Sequence, residues 1–141
     1  MEYKVLCEKI VESDPNISYA FVVNSAARLV ALAGGKNAPS INEERFAELL
    51  EDVSFMANSR KHYEDLYGMV QFVHIRHTRS DTFIFPFEAG QILCLCLGTS
   101  EYNETEFLEQ LQNKLPSIYQ FARQQSSSKH KKANYGFSLP T

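Results

Sequence analysis

Ile92-Leu93-Cys94-Leu95-Cys96-Leu97 is the stretch on which the fold turns. Six consecutive apolar residues without polar alternation need cover on both faces, which is the signature of a strand buried inside a sheet. The run is far short of the roughly 20 residues that span a bilayer. Gln91 and Gly98 bound it, so it reads as a central strand.

Working outward, Met69–His77 and Thr82–Phe87 read as the two strands before it. Their connections, Thr78–Asp81 and Glu88–Gly90, are short enough to force antiparallel hairpins. Pro86 has no amide to give a ladder, so it belongs at a strand end or bulge. Upstream, Ile17–Asn24 and Arg28–Ala33 form a further hairpin across Asn24-Ser25-Ala26-Ala27, and Gly34-Gly35-Lys36-Asn37 ends it. Placing the Gln91–Gly98 strand in the middle, with hairpins 1–2, 3–4 and 4–5 intact, gives the order 2-1-5-4-3.

Helices supply the cover. Tyr3, Leu6, Cys7 and Ile10 share one face of a helix over Met1–Glu12, and Asp14-Pro15-Asn16 breaks it. Ser40-Ile41-Asn42-Glu43 fits a capping box opening a helix that runs to about Tyr67, with Gly68 as its left-handed stop. Phe46, Leu49, Leu50, Val53, Met56 and Ala57 are its inward stripe. At roughly 35–40 Å it outreaches a typical strand and should overhang or bend. Asn103-Glu104-Thr105-Glu106 caps a last helix that buries Phe107, Leu111, Leu115 and Ile118, with Pro116 expected to bend or restart it. The expected fold is therefore α/β of the α+β type. It is a five-stranded antiparallel sheet with α-β-β-α-β-β-β-α topology and helices on both faces. Residues 1–123 form one domain, and 124–141, with Ser126–Ser128 and Lys129–Lys132, read as a flexible polar and basic tail.

The 141 residues are 44% hydrophobic and carry a net charge of −3, which gives no reason to expect nucleic acid or an anionic membrane as partner. Met1–Glu12 is too charged for a secretory signal. Three cysteines make no disulfide framework and suit a reducing cytoplasm. Cys94 and Cys96 point to one face of their strand as small core residues, with Cys7 expected near them. His74 and His77 should face opposite sides, which is wrong for a shared metal. Gly34-Gly35-Lys36 lacks the first glycine and the closing Ser/Thr of a phosphate loop, since Val30 and Asn37 stand there. No catalytic residue, cofactor or metal is expected.

Two features point instead to a partner. Phe55 and Leu66 fall on the side of the second helix away from its inward stripe. The Met69–His77 strand is a sheet edge in the order 2-1-5-4-3, and Met69, Val70, Phe72, Val73 and Ile75 make it apolar on both faces, with Gln71 between. An edge of that kind aggregates unless something covers it, and a second copy under two-fold symmetry would do so. The candidate interface is Phe55, Leu66, Met69, Gln71, Phe72, Val73 and Ile75.

The element order, the segment Ile17–Asn24 leading into Arg28-Leu29-Val30-Ala31, the single long middle helix and the final apolar strand together resemble the Roadblock (dynein light-chain) family, within the profilin-like and longin-like group. Ser25-Ala26-Ala27 stands where such domains commonly carry an acidic-Gly turn, which fits a divergent, prokaryotic subfamily. The resemblance implies a non-catalytic homodimer joined through the second helix and third strand, acting as adaptor, scaffold or regulator for a small GTPase. A PAS-like small-molecule sensor is the competing expectation, since it shares the strand order. The single capped helix speaks against it.

Overall fold

Leu93, Leu95 and Leu97 point to one face of the sheet and Ile92, Cys94 and Cys96 to the other, and both faces are packed. The computed structural model describes residues 2–36, 38–99 and 101–130, with 125–130 by backbone alone. Its strands are β1 (Ile17–Val23), β2 (Leu29–Gly34), β3 (Val73–Arg76), β4 (Asp81–Pro86) and β5 (Ile92–Leu97). All pairings are antiparallel, in the order β2-β1-β5-β4-β3. Phe21 of β1 and Ile84 of β4 flank Cys94 directly, so β5 is the central strand its sequence demands.

One face is covered by α1 (Tyr3–Ser13) and α4 (Glu104–His130), the other by α2 (Glu43–Arg60). Leu6, Cys7 and Ile10 of α1 and Phe107, Leu111, Leu115 and Tyr119 of α4 meet the β5 leucines together with Phe83 and Phe85. Leu50, Val53 and Ala57 of α2 meet Phe21, Ile84 and Cys94, with Phe46, Leu49 and Met56 half-buried beside them. Cys7 therefore lies across the sheet from Cys94 and Cys96, not near them as expected, because α1 and α2 take opposite faces.

Several boundaries depart from the sequence reading for identifiable reasons. The cap of α2 is Asn42, whose Oδ1 accepts from the amides of Glu44 and Arg45 at 2.9 and 3.2 Å; Ser40 takes no part in it. Asn is as good a cap as Ser and stands directly at the boundary. The helix is not continuous to Tyr67. A 3₁₀ turn over Lys61–Tyr63 separates α2 from α3 (Glu64–Tyr67), and Gly68 ends α3 at φ +83°. The long helix expected there is thus interrupted rather than continuous.

The third strand spans four residues rather than Met69–His77. His77 N–H donates to the Ser80 carbonyl, so the ladder alternates through Ile75–Thr82 and Val73–Ile84. The next rung would need the amide of Pro86, which does not exist. α4 passes through Pro116 without restarting; Gln112, whose carbonyl loses its donor, is exposed, and water can serve it. The same helix carries on through 124–130, where a flexible tail was expected, and the remainder of that tail, 131–141, lies outside the described residues. Asn103 caps α4 as expected, accepting from Glu106 N at 2.9 Å.

The β1–β2 turn is closed by Asn24, whose Oδ1 accepts from the amides of Ala26 and Arg28, each at 3.0 Å. Ser54, buried on α2, donates to the Ser25 carbonyl at 3.2 Å and so ties the helix to the turn. Ala27 sits in that turn at φ +62°, where an L side chain is strained and glycine is not. Ala27→Gly should therefore raise the unfolding free energy by about 1 kcal/mol, read as a higher urea midpoint at unchanged m-value. A lower midpoint would mean that relief of the turn is outweighed by loss of the methyl group.

Candidate functional site

The side of α2 that faces away from the sheet carries Glu48, Glu51, Asp52 and Phe55 among exposed positions, and Arg60, Lys61 and His62 follow at its end. Phe55 is 71% exposed, Leu66 69%, Tyr67 84% and Met69 83%, with Tyr63 also on the surface. Single exposed apolar residues are ordinary, but here a helix, the 3₁₀ turn, α3 and the segment entering β3 present them in succession. The 3₁₀ turn at Lys61–Tyr63 and the stop at Gly68 bound α3, whose Leu66 and Tyr67 lie at the surface, where no described residue covers them closely enough to bury them.

The β3 end of the candidate interface divides by face. Phe72 turns toward the α4 side and packs half-buried on Phe83 and Phe85, with ring centroids 6.2 and 5.9 Å away. Val73 and Ile75 lie half-buried on the α2 side. Gln71 is exposed. β3 is the last strand of its sheet, and the alternation of its ladder with β4 directs the main-chain groups of His74 and Arg76 outward.

The same two residues hold a charged knot that no local sequence pattern announces. Asp81, fully buried at the start of β4, accepts from Arg76 Nε at 3.1 Å and Nη2 at 2.8 Å, from His74 Nε2 at 3.0 Å, and from the Tyr102 hydroxyl. Arg76 also pairs with Glu104 in the first turn of α4, and His74 stacks on Phe83 at 4.3 Å. Charge-assisted bonds from Arg76, together with those from Tyr102 and His74, hold the Asp81 carboxyl well below the usual aspartate range against the opposing effect of burial. His74, Asp81 and Glu104 bring ligand atoms within 4.8 Å of one another. The Arg76 guanidinium already bridges both carboxylates, so the cluster is built as an ion-pair knot joining β3, β4 and α4.

The remaining candidates are structural. Burial pushes the Cys7 thiol up to about 12, and burial likewise raises Cys94. Cys94 and Cys96 share the α2 face of β5 as expected. At Gly35 a side chain would meet the Ile17 carbonyl oxygen at 2.7 Å, which accounts for glycine there by close packing of the strand exit against β1. Among the described residues no helix is long and apolar enough to cross a membrane.

Comparison with known proteins places this architecture. No protein-family profile matches the chain, and no curated protein sequence matches it either. Solved structures do. A Roadblock/LC7 domain from Streptomyces avermitilis superposes at a TM-score of 0.63 and 12% identity, covering 86% of this chain and 96% of that one. The gliding protein MglB from Thermus thermophilus gives 0.67 at 12% identity, over 87% and 91%. An MglB in a tetrameric arrangement gives 0.68 at 12% identity, over 87% and 90%. The chain has the Roadblock/LC7 fold.

The knot makes a pH prediction. A carboxyl whose folded pKa is depressed contributes stability that is complete above its unfolded value near 4 and is lost as pH falls toward the folded one. Asp81→Asn should cost about 1–3 kcal/mol at pH 7. Urea titrations from pH 7 downward should also show less loss of stability below about pH 4 than in the wild type. Parallel wild-type and variant curves would remove Asp81 as an acid-sensitive anchor.

Proposed function

We propose that this chain is a non-catalytic, cytoplasmic adaptor that works as a homodimer joined through α2, α3 and the β3 edge, and that it scaffolds or regulates a small GTPase. The observation that carries the dimer is the run of exposed Phe55, Leu66, Tyr67 and Met69 beside a strand whose outer main-chain groups face away from its own sheet.

A two-fold axis near Phe55 pairs the outer faces of two α2 helices antiparallel. Each surface then meets its own copy, so residue i faces j and j faces i. The acidic Glu51 and Asp52 of one copy come opposite the basic Arg60 and Lys61 of the other, which favours this orientation over the parallel one. β3 pairing with its copy joins two sheets into one and satisfies the outward groups of His74 and Arg76. The small-GTPase part is supported by the resemblance to Roadblock domains and by the fold shared with the MglB structures.

Light scattering on the full chain should give twice the chain mass, and Phe55→Glu should return it to one chain mass while circular dichroism stays unchanged. A wild type that remains at one chain mass at the highest soluble concentration would sink the dimer. For the GTPase, the wild-type chain used as bait should retain a small GTPase in a nucleotide-dependent manner. Failure to retain any, with the dimer intact, would confine the function to self-association.

A further inference from the structure

The sheet has two edges, β3 and β2, and they are finished differently. Gly35 N–H donates to the Ser18 carbonyl at 2.7 Å, which fixes the alternation of the β1–β2 ladder. Ala33 and Ala31 then bond inward to β1, and the main-chain groups of Leu32 and Gly34 face outward. Beside Gly34 the chain doubles back, with Ala38 N–H donating to the Gly35 carbonyl and the Ala38 methyl 3.4 Å from where a Gly34 side chain would start. At the middle of the edge, Lys4 reaches over from α1, and its Nζ donates to the Leu32 carbonyl at 2.9 Å. Leu29 and Val30, at the start of β2, are exposed and apolar.

We propose that Lys4 guards the β2 edge against strand addition by a second copy of this chain. An incoming strand needs the Leu32 carbonyl as an acceptor and must occupy the space of the Lys4 ammonium. It would have to break that bond and then either expel the charge or bury it without a carboxylate, which is unfavourable. Without the cation, β2 offers outward groups at Leu32 next to an apolar Leu29-Val30 flank, the composition that invites pairing. The position of Lys4 is set by the fold: Leu6, Cys7 and Ile10 seat α1 on the sheet and leave Lys4 on the flank above β2. With one edge guarded and one open, strand pairing closes at two copies; with both open it continues into longer assemblies. The limit of two rests on the proposed β3 dimer, whereas the closure of β2 does not.

The test uses the full chain with Lys4→Met, which keeps the apolar stem and removes the charge, and Lys4→Arg, which keeps a cation. In the Phe55→Glu background, Lys4→Met should at least double the mass seen by light scattering, and Lys4→Arg should leave it unchanged. Amide hydrogen exchange supplies the local readout. The outward N–H of Leu32 should exchange fast in the wild type and become protected in the Lys4→Met assembly, while Gly34, still beside the doubled-back loop, should change little. Lys4→Met chains that are folded by circular dichroism yet keep the Phe55→Glu mass would overturn the proposal. So would a heavier species in which Leu32 stays unprotected, since that is association elsewhere. If the wild type itself is monomeric the β3 dimer fails, but Lys4→Met alone should still double the mass.

Discussion

The requirement that both faces of Ile92–Leu97 be kept from water organises the molecule. Burying three leucines on one side and Ile92, Cys94 and Cys96 on the other takes two layers of helix, and each needs a neighbouring strand on both sides to build a surface wide enough to pack on. β1 and β4 are those neighbours, and once they flank β5 their hairpin partners, β2 and β3, can only be edges. The edges are thus a consequence of the core. α1 and α4 share the leucine face, while α2 alone covers the cysteine face and keeps an outer surface that no described residue overlies.

Most of this was legible because it is written in local patterns. The non-alternating run, the Asn24–Ala27 hairpin, the inward stripe of α2, Gly68 as a helix stop and the strand order all follow from residues a few positions apart. What was not legible depends on partners distant in sequence. Met69–Phe72 reads as strand by composition, but a strand needs a donor opposite, and Pro86 withholds it. Pro116 reads as a break, but its cost falls on the carbonyl of an exposed residue. Asp81 reads as a turn residue between two strands, and nothing near it says that Tyr102 and Glu104 will converge on Arg76 from the start of α4. The Asn42 cap was missed for a smaller reason: two good caps stand two residues apart, and only the backbone decides between them.

The two edges of the sheet are finished differently. β2 has its outward groups obstructed by a doubled-back loop and a lysine, devices that cost little and leave the ladder with β1 untouched. β3 has no further strand beyond it among the described residues, is short, and is flanked by aromatic and thioether side chains held in solvent. Tyr67 and Met69 gain nothing from that exposure in an isolated chain, and each would be a better surface residue as a polar one. The contrast between the guarded edge and the open one is a stronger sign of a contact at β3 than the apolar count of either taken alone.

The ion-pair knot bears on the proposed β3 contact through its geometry. In β3 the main-chain groups of His74 and Arg76 face outward, while their side chains run to the buried Asp81 on the α4 side of the sheet. The residues that present the edge are therefore those whose side chains are most firmly held. A four-residue edge strand would otherwise fray, and pairing it with another chain would first have to order it. With His74 stacked on Phe83 and Arg76 bound to both Asp81 and Glu104, that ordering is already done when the chain folds. Association would then cost less at this edge than at one held only by its ladder, which suits even a short strand to the proposed dimer seam.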